Sequence, residues 1–187
     1  MKSRLEGLRV YLSGPCERAI VTGETWRNLL TPKLKELGLI VLDPVNKNGV
    51  KLSFSKDNSE EFNYVKNLRE KGEFEELTKC MKEVVHIDLR MVDCADIIIT
   101  YLDQDIPTWG SIDEAVTACN QRKPVFICSK QGMRTIPLWL FGRIPLCYMF
   151  EDLDAVLRQL KAISICSEED LKVLTDKRWL FTNTLGV

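Results

Sequence analysis

Short apolar runs alternate along the chain with longer segments in which apolar residues recur at helical spacing. Five strands are predicted by the apolar runs at residues 8–12, 39–42, 96–102, 123–128 and 146–150. Helices are predicted at residues 23–37, 75–93 and 111–122, and a last one carries the apolar stripe Leu153, Val156, Leu157, Leu160 and Ile163. Because strand and helix alternate, we expect a doubly wound (Rossmann or flavodoxin-like) α/β sandwich with a central parallel sheet of about five strands.

One domain accounts for most of the 187 residues. We assign residues 1–163 to this α/β domain and residues 164–187 to a charged C-terminal extension. Within the extension, residues 179–187 either reach a neighbouring subunit or pack on their own domain. A polar stretch at residues 45–61 is predicted to be an irregular loop, of a length that usually carries function or mobility.

Composition narrows the possible partners. The net charge of −1 argues against binding to duplex DNA or to an anionic membrane. The seven cysteines form no C-x-x-C pair and the single histidine, His86, has no zinc-ligand spacing beside it, so we expect reduced structural thiols and no metal. No apolar run approaches the roughly 20 residues of a transmembrane helix, and no secretory leader is recognisable. These features predict a soluble, cytoplasmic protein.

Candidate site residues lie where the predicted strands end, because ligands in such sheets bind outside the carboxyl ends of the strands. Gly14 and Pro15 follow the first strand, Asp43 follows the second, and residues 103–114 follow the third. Neither a G-x-G-x-x-G motif nor a P-loop accompanies these turns. The sequence therefore supports neither a dinucleotide-binding fold nor an NTP-binding loop.

Glu114 is placed in the first turn of the helix that follows the third strand. It lies off the expected core stripe of that helix and can point into the cleft above the sheet; the stripe is Ile112, Ala115, Val116 and Cys119. The helix N-terminus stabilises an ionised carboxylate there, and such a group can attack an anomeric carbon. However, Ser111 and Glu114 also match the S-x-x-E capping box, in which Glu114 would only close the helix. This stretch alone leaves both interpretations open.

Further acids precede the third strand. Asp88 has no evident capping position, and an acid close to Glu114 would orient sugar hydroxyls while each charge raised the pKa of the other. Asp96 stands directly before the strand, where it can also cap or end the preceding helix. Solvated helix-face acids remain an alternative for both. Tyr11, in the first strand, fits a core position as well as a catalytic one.

An ordered set of segments carries a resemblance to a known family. The segments are Val10-Tyr11-Leu12-Ser13-Gly14-Pro15, Glu17, Gly23-Glu24-Thr25-Trp26-Arg27, Asp43-Pro44, Asp88-Leu89-Arg90, Ala95-Asp96-Ile97-Ile98, Gly110-Ser111-Ile112-Asp113-Glu114 and Pro137-Leu138-Trp139-Leu140-Phe141-Gly142. Over roughly residues 8–163 they resemble the nucleoside 2-deoxyribosyltransferase family, in particular its divergent branch from bacterial and phage genomes.

The resemblance implies an exchange reaction on 2′-deoxynucleosides with net retention. Glu114 would attack C1′ and expel the base, and the covalent deoxyribosyl-Glu intermediate would pass the sugar to another free nucleobase. Tyr11 would orient Glu114, Asp88 would bind the deoxyribose hydroxyls, and Ser111 would support the turn. The other expected substrate-binding residues are Gly14, Pro15, Asp43, Asp96 and Trp109. No cofactor is implied, whereas a homo-oligomer with sites completed by neighbouring subunits is.

The chain departs from the family at Thr108, six residues before Glu114. The family often has an aspartate at this position, which helps to protonate and bind the base. Asp103 and Asp105 are the candidate substitutes in this sequence. Trp109 either stacks on the base or has an ordinary packing role.

This departure keeps two alternative functions open. One is an N-glycosidase that hydrolyses 2′-deoxynucleoside 5′-monophosphates and binds the phosphate through Arg18, Arg27 or the Ser13-Gly14 backbone. The other is a non-catalytic nucleotide-binding or sensor module that keeps the fold without turnover.

Overall fold

The computed structural model describes residues 3–16, 24–54 and 58–181 of the chain. The strands in this part are β1 (Arg9–Ser13), β2 (Ile40–Leu42), β3 (Ile97–Leu102), β4 (Val125–Ser129) and β5 (Met149–Phe150). The α-helices are α1 (Glu24–Glu36), α2 (Asn58–Lys71), α3 (Phe74–Cys94), α4 (Trp109–Asn120), α5 (Leu138–Phe141), α6 (Leu153–Ile165) and α7 (Glu168–Leu174). Short 3₁₀ segments lie at Lys47–Gly49, Met133–Thr135, Leu146–Tyr148 and Lys177–Phe181.

The strands form one parallel sheet in the order β2-β1-β3-β4-β5. β1 pairs with β3 through Val10 and Ile97, and every residue of β3 except Tyr101 is buried, as its consecutive isoleucines predict. The last strand is shorter than predicted because Leu146–Tyr148 forms a 3₁₀ turn. The predicted doubly wound α/β sandwich with five parallel strands is confirmed.

The order of the strands reverses between β1 and β3. The chain first moves outward from β1 to β2 and then crosses back past β1 to β3. Right-handed crossovers therefore place α1 on one face of the sheet and α3 and α4 on the other. The contacts agree, because α3 contacts α4 whereas α1 contacts α6. Such a reversal opens a crevice at the carboxyl ends of β1 and β3, which is the usual ligand site in open α/β sheets.

Helix α4 packs on the core with part of its predicted stripe, but its most buried positions are the alanines. Ala115 and Ala118 are fully buried, whereas three residues of the predicted stripe are only partly buried: Ile112, Val116 and Cys119. The helix begins at Trp109, two residues earlier than predicted. Small alanine side chains let α4 lie close to the sheet, in contact with β1, β3 and β4. Its first turn consequently lies beside the end of β1.

A helical hairpin connects β2 to β3. The irregular stretch predicted at residues 45–61 is shorter than expected, because Lys47–Gly49 is a 3₁₀ turn and α2 begins at Asn58. The helical region breaks at Gly72, which takes a φ of +74° between α2 and α3. The hairpin buries its own small cluster, separate from the main core and formed by Val65, Leu68 and Cys80.

The described part of the C-terminal extension lies against the domain. Trp179 is buried, and its ring meets that of Phe126 edge-on at 6.5 Å between centroids. The Tyr148 hydroxyl donates a hydrogen bond of 2.8 Å to the carboxylate of Asp176. Residues 182–187, the end of the segment expected to reach a neighbour, lie outside the described residues. No helix in the described ranges has both the length and the apolar character needed to cross a membrane.

Candidate active site

A pocket of about 190 Å³ opens at the carboxyl ends of β1 and β3, in the crevice predicted from the strand order. Its walls come from the turn after β1, the segment after β2, the α2–α3 hairpin and the start of α4. The residues that line it are Gly14, Pro15, Cys16, Pro44, Lys47, Phe62, Met81, Val84, Val85, Asp88, Leu89, Pro107, Thr108, Trp109, Gly110, Ser111, Asp113 and Glu114.

Glu114 faces this pocket from the second turn of α4 and is held by the end of β1. The Tyr11 hydroxyl donates to Glu114 Oε1 at 2.8 Å, and the Ser13 hydroxyl donates to Oε2 at 2.5 Å. Burial raises the pKa of Glu114, while the hydrogen bonds from Ser13 and Tyr11 act to lower it. The carboxylate is thus removed from water but provided with one donor for each oxygen.

Glu114 does not form the capping box that its sequence pattern allowed. The N-cap of α4 is Thr108, without a capping side chain, and Ser111 lies inside the helix. The Glu114 carboxylate bonds to β1 instead. The Ser111 carbonyl lies 3.3 Å from the Ser13 hydroxyl oxygen, whose single proton is donated to Glu114 at the shorter distance of 2.5 Å.

Tyr11 and Ser13 reach Glu114 together because they alternate on β1. Side chains at positions i and i+2 of a strand point to the same face, here the face that α4 covers. Burial, followed by the charge of Glu114, raises the pKa of Tyr11 well above its usual value, so its hydroxyl stays protonated and donates. The role of Ser13 was not predicted, although its spacing from Tyr11 was a usable signal.

Asp88 brings a second carboxylate to the pocket from α3. Burial raises its pKa to about 7; the charge of Lys47 opposes this shift, and the charges of Glu114 and Glu61 reinforce it. Its Oδ1 is buried and accepts no hydrogen bond. Asp88 is therefore close enough to Glu114 to feel its charge, and its side chain lines the pocket while Oδ1 is turned toward Lys47.

Lys47 is a site residue that the sequence did not reveal. Its ammonium is 1% exposed, donates to the Pro44 carbonyl at 2.8 Å, and lies 3.1 Å from Glu61 Oε2 and 3.6 Å from Asp88 Oδ1. Its backbone φ is +39°, which is uncommon for a residue with a side chain. Nothing in the polar stretch around it distinguishes this lysine from a solvated one.

The turn after β1 is fixed from behind by Arg27. Its buried guanidinium donates to the carbonyls of Leu12, Gly14 and Pro15 at 3.1–3.3 Å and lies 3.5 Å from a carboxylate oxygen of Asp43. Asp43 therefore supports Arg27 and does not line the pocket. Arg27, predicted as a phosphate ligand in the hydrolase alternative, is directed at the backbone. Glu17, Arg18 and Gly23 lie outside the described residues.

Gly14 lines the pocket, but packing explains why it is a glycine. A Cβ at this position would lie 2.7 Å from the Trp26 ring and 2.9 Å from the Tyr101 carbonyl oxygen. The turn therefore runs too close to α1 and β3 for a side chain. We had expected a close approach to a ligand.

The structure does not bring every predicted acid to the pocket. Asp96 lies at the opposite, amino end of the sheet, where it accepts hydrogen bonds from the Arg9 backbone and guanidinium. Asp103 is bonded to Lys130 and Gln131, and Asp105 also bonds Gln131. Neither of these two aspartates lines the pocket, so neither replaces the family aspartate at position 108.

One wall of the pocket is apolar. The α2–α3 hairpin supplies most of it, through Phe62, Met81, Val84, Val85 and Leu89. Trp109 lies at the rim and is 81% exposed, so its ring packs little against the described residues. The charged groups and the apolar wall together suit a ligand with a polar and a flat apolar part. Among the described residues, no group of three or more His, Cys, Asp or Glu side chains forms a candidate metal site.

Replacing Glu114 by glutamine is expected to stabilise the protein at pH 7. Folding raises the pKa of Glu114, so at a pH above the folded-state pKa the buried ionised carboxylate lowers the free energy of unfolding. At a pH below the unfolded-state pKa of about 4.3 the group is protonated in both states, and this cost is absent. We expect Glu114→Gln to gain roughly 0.5–2 kcal/mol at pH 7 and to lose this gain near pH 4. Urea unfolding at both pH values measures it.

The exposed Glu36→Gln variant on α1 is the matched control and should show no such gain. An equal loss of stability at both pH values in Glu114→Gln would contradict the expectation, because the hydrogen bonds from Tyr11 and Ser13 would then outweigh the cost of burial.

Comparison with known proteins identifies relatives of the fold. No protein-family model and no curated protein sequence matches the chain. Among solved structures, it is similar to a 2-deoxyribosyltransferase from the psychrotolerant bacterium Bacillus psychrosaccharolyticus, with 18% identity and a TM-score of 0.55 over 87% of this chain and 95% of that one. It is also similar to 2-desoxiribosyltransferase from Leishmania mexicana, with 18% identity and a TM-score of 0.42 over 67% of this chain and 66% of that one. The first likeness shows that the chain has the fold of a bacterial 2-deoxyribosyltransferase.

Proposed function

We propose that the chain is a nucleoside 2-deoxyribosyltransferase-like enzyme. It would cleave the N-glycosidic bond of a 2′-deoxynucleoside and transfer the deoxyribose to another nucleobase. The observation that carries this proposal is the Glu114 carboxylate, which faces a pocket from a helix start while two hydroxyl donors of β1 fix both of its oxygens. The shared fold with the Bacillus enzyme supports the same reaction class.

In the first step, a Glu114 oxygen attacks C1′ of the bound deoxynucleoside. A bond forms between this oxygen and C1′ as the bond from C1′ to the base nitrogen breaks, through an oxocarbenium-like transition state. The bonding electrons leave with the base, whose nitrogen takes a proton from water, and the attacking base of the second step returns one to water. The product is a deoxyribosyl ester of Glu114.

In the second step, the nitrogen of another base attacks C1′ of this ester and loses its proton. The Glu114 carboxylate leaves and is restored for the next cycle. Two displacements at the same carbon give net retention of configuration, as in retaining glycosidases.

Tyr11 and Ser13 would act on Glu114 rather than on the substrate. Their hydroxyls hold the carboxylate plane in one orientation and lower the pKa that burial raises. The nucleophile is then preorganised before the substrate arrives, which reduces the reorganisation needed for attack.

Asp88 would bind the deoxyribose hydroxyls in its ionised form. Its side chain lines the pocket and is 18% exposed, whereas Oδ1 is buried toward Lys47, so the sugar hydroxyl would be taken by the other carboxylate oxygen. The ionised fraction rises as the pH passes through about 7, because burial and the neighbouring carboxylates raise the pKa of Asp88 to that range.

A free nucleoside suits the described pocket better than a 5′-monophosphate. The charged residues among its described lining are three carboxylates, Asp88, Asp113 and Glu114, and one ammonium, Lys47, which already faces Asp88 and Glu61. A phosphate would add negative charge to a pocket with an excess of negative charge, which opposes its binding. Within the described lining this favours a nucleoside without a phosphate; Arg18, the other candidate phosphate ligand, lies outside the described residues.

The proposal is tested by incubating the protein with a panel of 2′-deoxynucleosides and a different free base. Chromatography should reveal a new deoxynucleoside in the wild type, and its rate of formation should fall by about 10³-fold or more in Glu114→Gln. The Glu36→Gln variant, substituted far from the pocket, should retain the wild-type rate. Measured stability of the variants separates loss of chemistry from unfolding.

Other outcomes of this assay would replace the proposal. Free base without a new deoxynucleoside, especially from 5′-monophosphates added in parallel, would establish the hydrolase. Tight binding of a nucleoside without any release of base would establish the non-catalytic module.

Trp109 would stack on the base at the mouth of the pocket. We expect Trp109→Ala to raise KM about 10-fold with little change in kcat, because a base–aromatic stack contributes about 1–3 kcal/mol to binding. Trp139→Ala is a matched control, since Trp139 is also 81% exposed but does not line the pocket. Unchanged kinetics in both variants, or equal effects in both, would contradict a base-stacking role.

A homo-oligomer is part of the proposal. Helix α3 carries an apolar stripe at four-residue spacing that lines a shallow groove and continues into the pocket: Leu77, Met81, Val85 and Leu89. We expect a second copy to cover it, so that Val85→Glu lowers the mass found by sedimentation velocity. Val173→Glu, at an exposed valine of α7, should leave the mass unchanged. A wild type that sediments as a 21.5 kDa monomer at all concentrations would contradict this expectation.

A further inference from the structure

A buried ion cluster lies beside the nucleophile, and only one of its members, Asp88, has a role in the reaction as described so far. It consists of Lys47 in the segment after β2, Glu61 on α2 and Asp88 on α3, here called the Lys47 cluster. Lys47 and Glu61 are 1% and 2% exposed, and the Asp88 side chain is 18% exposed. Only Asp88 and Lys47 of the three line the pocket.

The cluster has one more carboxylate than it has cations. The ammonium of Lys47 is nearer to Glu61, at 3.1 Å, than to Asp88, at 3.6 Å, and it also donates to the Pro44 carbonyl. One oxygen of each carboxylate, Glu61 Oε1 and Asp88 Oδ1, is buried without a hydrogen-bond donor. Two acids thus share one ammonium. A closer approach of Lys47 to one carboxylate weakens its electrostatic attraction to the other.

We propose that Lys47 is a positioning residue of the pocket, whose ammonium, anchored by Glu61 and the Pro44 carbonyl, holds the Asp88 carboxylate toward the substrate and sets how much of it is ionised. Lys47 acts through Asp88 and need not touch the substrate. The effect of Lys47 on Asp88 stands on the geometry alone, whereas its consequence for turnover rests on the proposed function.

Ionisable groups face Asp88 from each neighbouring element. They are Tyr11 and Cys16 from β1 and its following turn, Lys47 from the segment after β2, Glu61 from α2 and Glu114 from α4. Of these, Lys47 favours the ionised form of Asp88, and Glu61 and Glu114 oppose it. Removing Lys47 and removing the charge of Glu61 must therefore move the pKa of Asp88 in opposite directions. A purely structural ion pair would move the pKa of Asp88 without moving the pH dependence of turnover, so both are measured.

The direct test is a pH titration of Asp88 by NMR. The protein is labelled with ¹³C at its aspartate carboxyls, and the Asp88 resonance is identified by its loss in Asp88→Asn. We expect Lys47→Met to raise the midpoint by about 1–3 units and Glu61→Gln to lower it. Lys47→Arg, which keeps the charge, should stay near the wild type. Lys82→Met, at an exposed lysine of α3, should also leave the midpoint in place.

A second variant keeps the test decisive if Lys47→Met does not fold. Lys47→Met leaves both Glu61 and Asp88 without a cation and is the variant that can fail to fold. The double variant with Lys47→Met and Glu61→Gln removes one of these two charges. Its Asp88 midpoint is expected above that of Glu61→Gln alone. Equal midpoints in these two variants, or shifts of the same sign for Lys47→Met and Glu61→Gln, would overturn the assignment of Lys47.

The pH dependence of kcat/KM for base exchange connects the cluster to turnover. The pH at which kcat/KM falls on the acid side should be higher in Lys47→Met and lower in Glu61→Gln than in the wild type, as the Asp88 midpoints are. Midpoints that move in a protein without exchange activity would leave the role of Lys47 in place and overturn the proposed function. An acid limb that stays fixed while the midpoints move would overturn the effect of Lys47 on turnover.

Discussion

The site depends on keeping a carboxylate charged after it has been taken out of water. Glu114 is removed from solvent by the close packing of α4 on the sheet, and burial alone would favour its neutral form. The hydroxyls of Tyr11 and Ser13 replace the lost water, one for each oxygen. This requirement fixes the relation between β1 and α4, because both donors come from one face of a strand and the acceptor comes from a helix start. Arg27 extends the same constraint by donating to the carbonyls of Leu12 and Gly14, on either side of Ser13.

The fold was predictable because its signals are local and repeated. Consecutive isoleucines in β3 and the break at Gly72 each appear in a few neighbouring residues, and the structure has both features. The face of α4 was less predictable, since alanines in its sequence carry little hydrophobic signal but allow the closest approach to the sheet. Here the tightness of packing, which a residue pattern does not encode, decided which side is buried.

The site was predictable only in part. Three predicted residues meet at the carboxyl end of the sheet: Tyr11 on β1, Asp88 on α3 and Glu114 on α4. Asp96 lies at the other end of the sheet, because a residue that directly precedes a parallel strand lies at the amino end of that strand. Lys47 has no local signature at all: its burial results from two acids contributed by distant helices. Such a contact depends on how the hairpin is placed, which no short segment of the sequence specifies.

The two sides of the pocket belong to different hydrophobic clusters. Glu114 is carried by α4, whose alanines are in the main core, whereas Met81 in the opposite wall packs with the small cluster of Val65, Leu68 and Cys80. A substitution in the small cluster can therefore reshape the wall that a base would touch without repacking the layer that holds the nucleophile. Under the proposed function, the nucleophile and the wall that contacts the base thus belong to separately packed parts of one short chain. A change in that wall would then alter which bases are accepted while Glu114 and its two donors stay in place.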